Sequence, residues 1–211
     1  MANYASDLMT YKVPFRGAEA GQEFQVTGVV KIPSGKKLLA GDTIKFARLG
    51  QGVSVTAIRI STDADLDNDV SPALAGQLGY FRAYAADGTT TLTVDDKTGT
   101  TYTSPADSTA YFVAAGSLGV LQAPGVSHYV AGQSGLDNEL ANFDADGFAG
   151  PVDVGIEITT SAAGASAATT YIRCTLTCIQ KETTPGEFSG ALASAYANRY
   201  TSAGSSQGLV S

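Results

Sequence analysis

Val152, Val154, Ile156 and Ile158 alternate without a break with Asp153, Gly155, Glu157 and Thr159, and Ile172, Cys174, Leu176 and Cys178 alternate with Arg173, Thr175 and Thr177. An apolar side chain at every second residue is the period of a β-strand with one buried face; on a helix the same residues would spread around the axis. The period recurs earlier in the chain. Phe24, Val26, Val30 and Ile32 mark a strand over 23–32 that ends at Pro33–Gly35, Ile44 and Phe46 mark a second that closes near Gly50 and Gly52, and Val53, Val55 and Ala57 begin a third. The phase then slips to Ile58 and Ile60, which predicts a β-bulge or bend near Ala57. Further strands are expected over 79–86, 90–95, 109–115 and 126–131, with loops over 62–78 and 132–150. An Ala- and Ser-rich hairpin loop over 161–168 is expected to join the last two strands. About eight or nine short strands with no fixed repeat predict an all-β chain, a jelly-roll-like antiparallel β-sandwich spanning 23–182.

The two ends do not share this pattern. Residues 1–22 read as an extended N-terminal arm bearing Tyr4, Tyr11, Phe15 and Arg16. Residues 183–211 read as a tail with a short C-terminal helix, where Phe188, Leu192 and Tyr196 recur at helical spacing, against the helix-weakening Gly190. An arm rich in aromatics is expected to dock on something rather than fray, so Tyr4, Tyr11, Phe15 and Arg16, with Lys36 and Lys37, are the expected partner contacts.

Charge excludes several partners. Thirteen Lys and Arg against twenty Asp and Glu give a net charge of −7, so the chain lacks the overall basic character that a nucleic-acid binder needs to neutralise phosphates. The cations are unevenly placed: Lys31, Lys36, Lys37, Lys45, Arg48 and Arg59 share 31–59 with a single acid, Asp42, and 98–172 holds no Lys or Arg. Such a distribution suits either strand faces of different polarity or a basic edge that meets an acidic neighbour. No apolar run approaches the roughly 18 residues of a membrane span, and Met1–Ala5 lacks the basic start and apolar run of a signal peptide. Synthesis in a cytoplasm, with no membrane and no nucleic acid as partner, is the expectation.

The residue types that carry chemistry are sparse. The chain has one histidine, His128, and its neighbour Ser127 would point to the other side of a strand, so the two form no dyad. No nucleophile elbow, phosphate loop or zinc-protease motif occurs. The chain has no Trp, which disfavours a sugar-stacking groove. Four strand steps put Cys174 and Cys178 about 13 Å apart, too far for a disulfide, and they read as buried free thiols. Asp63, Asp65, Asp67 and Asp69 resemble the opening of a calcium loop. Counted from Asp63, however, the sixth and twelfth positions are Asn68 and Leu74 where an EF-hand needs Gly and Glu. A solvated acidic loop is the first reading and an irregular Ca²⁺ site the second. No cofactor is expected, and the chain reads as a non-enzyme.

Residues 30–50, VKIPSGKKLLAGDTIKFARLG, resemble a recurring segment of small structural proteins in tailed-phage virion modules: a strand, an IP-x-G turn, then L-x-A-G-D-x-I-K-x-A-R-L. The continuation over 53–67 is similar to the strand and acidic loop that follow in that pattern, and 110–115 and 151–160 are similar to its later strands. The resemblance covers roughly 24–180 and omits the arm and tail. It implies a jelly-roll sandwich acting as a capsid cement, or head decoration, protein on the outer surface of the virion. Its partners would be the major capsid protein and further copies of itself, as a homotrimer or else a homodimer. It carries no catalytic residue. Two other functions are consistent with the residues: a glycan-binding host-recognition module of a head fibre or tail, and a β-sandwich hydrolase with convergent carboxylates.

Overall fold

The computed structural model describes residues 1–10, 21–95, 101–114, 118, 121, 127–130 and 148–180. Among them are eleven strands: β1 (Asn3–Ala5), β2 (Glu23–Ile32), β3 (Thr43–Leu49), β4 (Val53–Thr62), β5 (Ala75–Arg82), β6 (Thr93–Asp95), β7 (Thr101–Thr103), β8 (Ser108–Val113), β9 (Ser127–Val130), β10 (Val152–Thr160) and β11 (Thr170–Gln180). A 3-10 turn spans Asp7–Thr10. The expected helix over 187–200 lies outside the described residues.

Two sheets form the sandwich. One has the order β1-β3-β10-β5-β8, the other β2-β11-β4-β9. Apart from β1 and the small β6–β7 ribbon, the strands pair as nested antiparallel couples. β5 lies beside β8, β4 beside β9, β3 beside β10 and β2 beside β11, each couple enclosing the one before it in sequence. Successive couples fall in alternate sheets, which is the connectivity of a long hairpin rolled into a jelly roll. The all-β sandwich expected from the alternating residues is therefore the fold.

That connectivity corrects one expectation. Residues 161–168 do not close a hairpin, because β10 pairs with β3 and β5 while β11 pairs with β2 and β4. The segment crosses from one sheet to the other. Two adjacent alternating strands separated by small residues look the same in sequence whether they pair or face each other across a core, and here they face each other.

The core lies between the inner faces. Val26, Val30 and Ile32 of β2, Ile58 and Ile60 of β4, and Ile172, Cys174, Leu176 and Cys178 of β11 meet Ile44 and Phe46 of β3, Leu78 of β5, and Val152, Val154, Ile156 and Ile158 of β10. Each large aliphatic side chain buried this way contributes about 1.5–3 kcal/mol relative to exposure. The thiols of Cys174 and Cys178 are free and buried; burial raises both, Cys178 to about 12, so neither is a thiolate near neutral pH. The phase slip near Ala57 is a bulge: Thr177 faces Ala57 and Cys178 faces Val55, leaving Thr56 as the extra residue.

The region expected as a loop over 62–78 contains the start of β5. Gly76, expected within that loop, and Gly79 are close-approach positions on β5. A Cβ on Gly79 would meet the Ser108 carbonyl oxygen at 2.1 Å, so only glycine lets β8 pack there. Part of the expected arm also belongs to the body. β1 adds to the free edge of β3 as a parallel strand, with Asn3, Tyr4 and Ala5 opposite Thr43, Ile44 and Lys45.

The sheets approach closely where Gly28 of β2 meets Phe46 of β3. A Cβ on Gly28 would stand 2.3 Å from the Phe46 carbonyl oxygen and 2.8 Å from its carbon, backbone atoms that cannot swing aside. Gly28→Ala is expected to cost roughly 2–3 kcal/mol of stability by forcing the sheets apart, read as a lowered midpoint in urea unfolding; an unchanged midpoint would contradict this packing.

Candidate functional site

One cluster of charged side chains, Lys45, Arg48 and Asp153, lies on the five-stranded sheet away from the inner face, and a bulge puts it there. Lys45 and Arg48 are three apart on β3, so in a regular strand they would face opposite ways. Lys45 pairs with Gly155 and Ala47 with Val154, leaving Phe46 as an extra residue. The extra residue resets the phase, and both cations emerge beside Asp153 of β10.

Arg48 holds the Asp153 carboxylate with two hydrogen bonds, Nε to Oδ1 at 2.7 Å and Nη2 to Oδ2 at 3.1 Å, and Lys45 Nζ donates to Oδ2 at 3.2 Å. The Asp153 side chain is 2% exposed, against 12% for Arg48 and 19% for Lys45. A carboxylate this deeply buried is tolerable only with such partners. The Lys45 ammonium also lies over the Phe81 ring, 5.2 Å from its centroid, a favourable cation–π arrangement. These groups floor a cleft of about 430 Å³ whose walls include Asn3 and Met9 from the N-terminal segment and Arg82, Tyr84 and Asp107 around the far end of β5.

The acidic run 63–69 does not converge. Asp67 is buried and accepts four backbone N–H groups: Ala73 at 2.8 Å, Leu74 at 3.0 Å and Ala163 at 2.9 Å on Oδ2, and Gly164 at 2.6 Å on Oδ1. Burial alone would raise its carboxyl, but the four donors outweigh it and hold Asp67 below the usual carboxylate range. Asp63 instead forms a charged hydrogen bond with Arg173, and Asp69 accepts the Ser71 N–H at 3.0 Å. Asp65 is half-buried. Among the described residues no three acidic, His or Cys side chains come together as metal ligands. The run is a loop clamp: Asp67 ties 73–74 to the crossing at 163–164.

The expected partner contacts separate as well. Tyr4 is half-buried on β1 and packs against the protein's own core. Asp42 secures the segment before it, accepting N–H groups from Ala2 at 2.5 Å and Leu39 at 3.0 Å. Burial would raise the Asp42 carboxyl, yet these hydrogen bonds keep it lowered. Lys36 and Lys37 are exposed in the turn after β2, where Lys37 Nζ donates to the Ala163 carbonyl at 2.9 Å. Tyr11, Phe15 and Arg16 lie outside the described residues. His128 sits on β9 opposite Ile60.

Reading the sequence missed the Asp153 cluster. Asp153 appeared there as one more outward residue of an alternating strand, and nothing local reveals that the facing strand carries a bulge.

No family model matches the sequence, and no curated protein matches it. Among solved structures, a chain in the capsid of Ralstonia phage GP4 is similar at 17% identity with a TM-score of 0.55; the match covers 85% of this chain and 98% of that one. A chain in the Cyanophage Pam1 capsid asymmetric unit matches at 18% identity and a TM-score of 0.47, over 79% of this chain and 90% of that one. At 17% identity the likeness to the Ralstonia phage chain is one of fold, and it extends over nearly all of that chain.

Asp67→Ala would leave four N–H donors without their acceptor, the Leu74 N–H buried and the other three part-buried, and is expected to lower stability by about 3 kcal/mol. Because the folded carboxyl lies below its unfolded value of about 3.9, the difference between wild type and variant should hold steady above about pH 5 and shrink as pH falls below about 4. Urea unfolding across that range checks both; a difference that grows on acidification would contradict the assignment.

Proposed function

We propose that this chain is a structural component of a tailed-phage virion, a capsid cement protein that binds the outer surface of the head and stabilises it. The observation that carries this reading is the sandwich itself, which matches almost the whole length of a chain from a phage capsid. The sequence pattern over 30–67 points the same way. A mechanical role also suits Asp67 and Asp153, two buried carboxylates engaged in clamps within the fold.

Cement action needs no chemistry. A protein that binds the assembled shell and not its separated subunits stabilises the shell by mass action, in proportion to the logarithm of its concentration over its dissociation constant. Copies related by symmetry would add avidity, each modest contact raising the effective concentration of the next. A homotrimer is the proposed assembly, with a homodimer second, and the major capsid protein is the proposed partner. The arm residues Tyr11, Phe15 and Arg16 and the exposed Lys36 and Lys37 are the proposed contacts.

Purified protein added to expanded capsids that lack it should bind saturably and raise the temperature at which the particles disrupt. Absence of binding to matching capsids would overturn the proposal, and a glycan-array signal without capsid binding would favour a host-recognition module instead.

A further inference from the structure

The cleft on the outer face of the five-stranded sheet is more than a structural ion cluster. Its floor holds two cations on a single carboxylate. The guanidinium offers five N–H groups and the ammonium three; two of the former and one of the latter go to Asp153, and among the described residues these side chains make no other hydrogen bond. Arg82 adds a third cation to the lining, against Asp107 and Asp153 as the acids. Asp107 is already engaged, accepting the Arg82 backbone N–H at 2.5 Å. Among the described residues the lining is net positive, on a chain of net charge −7.

Burial sharpens the point. Lys45 and Arg48 are largely withdrawn from water, so their spare donors are poorly solvated and interact strongly with any anion that enters. The surroundings select among anions. Phe81, Met9 and Tyr84 supply apolar surface beside the cations, whereas Asp107 and Asp153 oppose a doubly charged group. A volume of about 430 Å³ falls in the range of small ligand sites, about 300–1,000 Å³. It would admit one side chain with its flanking backbone.

We propose that this cleft binds an acidic side chain, flanked by an apolar residue, presented by a protein partner, with Lys45 and Arg48 donating to its carboxylate and Phe81, Met9 and Tyr84 packing on its neighbour. The bidentate Arg48–Asp153 pair fixes the guanidinium so that little side-chain freedom is lost on binding. This goes beyond the proposed capsid role and does not depend on it, since the recognition chemistry is the same whatever protein carries the carboxylate.

The test is an NMR titration of the whole chain with acetyl-leucyl-aspartyl-amide, with its asparaginyl counterpart and inorganic phosphate as the other arms. The aspartyl probe should shift the Lys45, Arg48 and Phe81 side-chain signals saturably, with the asparaginyl probe binding about tenfold more weakly and phosphate weaker than the aspartyl probe. Lys45→Gln, which leaves the Arg48–Asp153 pair in place, should weaken the aspartyl probe to the level of the asparaginyl one, with a lowered thermal midpoint because the buried Asp153 carboxylate loses one charged donor. Should Lys45→Gln unfold the chain, Arg82→Gln at the cleft wall should weaken the same probe on a folded background. Equal binding of the two peptides, tighter binding of phosphate, shifts that map elsewhere, or no saturable shift at all would each overturn the proposal.

Discussion

β10 and β11 lie inside opposite sheets with their apolar sides turned towards each other, and β2, β3, β4 and β5 pair directly with these two. Val152, Val154, Ile156 and Ile158 from one and Ile172, Cys174, Leu176 and Cys178 from the other are all buried. Each strand is flanked on both sides, β10 by β3 and β5 and β11 by β2 and β4, so their backbone donors and acceptors are met within the sheets. Because the segment between them crosses the sandwich, its placement matters, and Asp67 fixes it by taking the Ala163 and Gly164 N–H groups.

The two sheets differ outside the core. β11 follows the simple rule of an antiparallel strand, buried and less buried residues alternating from Thr170 to Gln180. β10 does not: Val152 to Ile156 are buried on both sides. Asp153 is sealed by Arg48, Lys45 and Phe81, and a Cβ on Gly155 would meet the Phe81 ring at 3.1 Å. One face of the sandwich is thus left open to water while the other is partly covered and carries the charged cleft. A shell protein of the kind proposed needs such asymmetry, because it must contact neighbours on one side and solvent on another.

The same edge explains the first residues of the chain. β3 would otherwise expose a row of unpaired backbone groups, an invitation to wrong pairing. β1 covers part of that edge, and Thr43 N–H to Ala2 carbonyl at 3.0 Å and Ser6 N–H to Lys45 carbonyl at 3.0 Å extend the cover beyond the strand. Tyr4, expected as a contact for another protein, is half-buried and packs against the chain's own core.

Strand identity was legible in the sequence because alternation is local: a face is recorded in each second residue, and β2, β4, β10 and β11 could be read directly from it. The bulge at Thr56 was legible for the same reason, as a slip in phase. Partnership was not. Nothing within 161–168 distinguishes a hairpin from a crossing, nothing near Phe46 marks its bulge, and Asp67 finds N–H donors 96 and 97 positions away. Those outcomes depend on which strands share a sheet. The sequence by itself determined that the chain is a β-sandwich with buried thiols and a low-charge body. Only the tertiary structure decided that Lys45, Arg48 and Asp153 meet, since their encounter requires one strand to bulge and a distant strand to lie beside it.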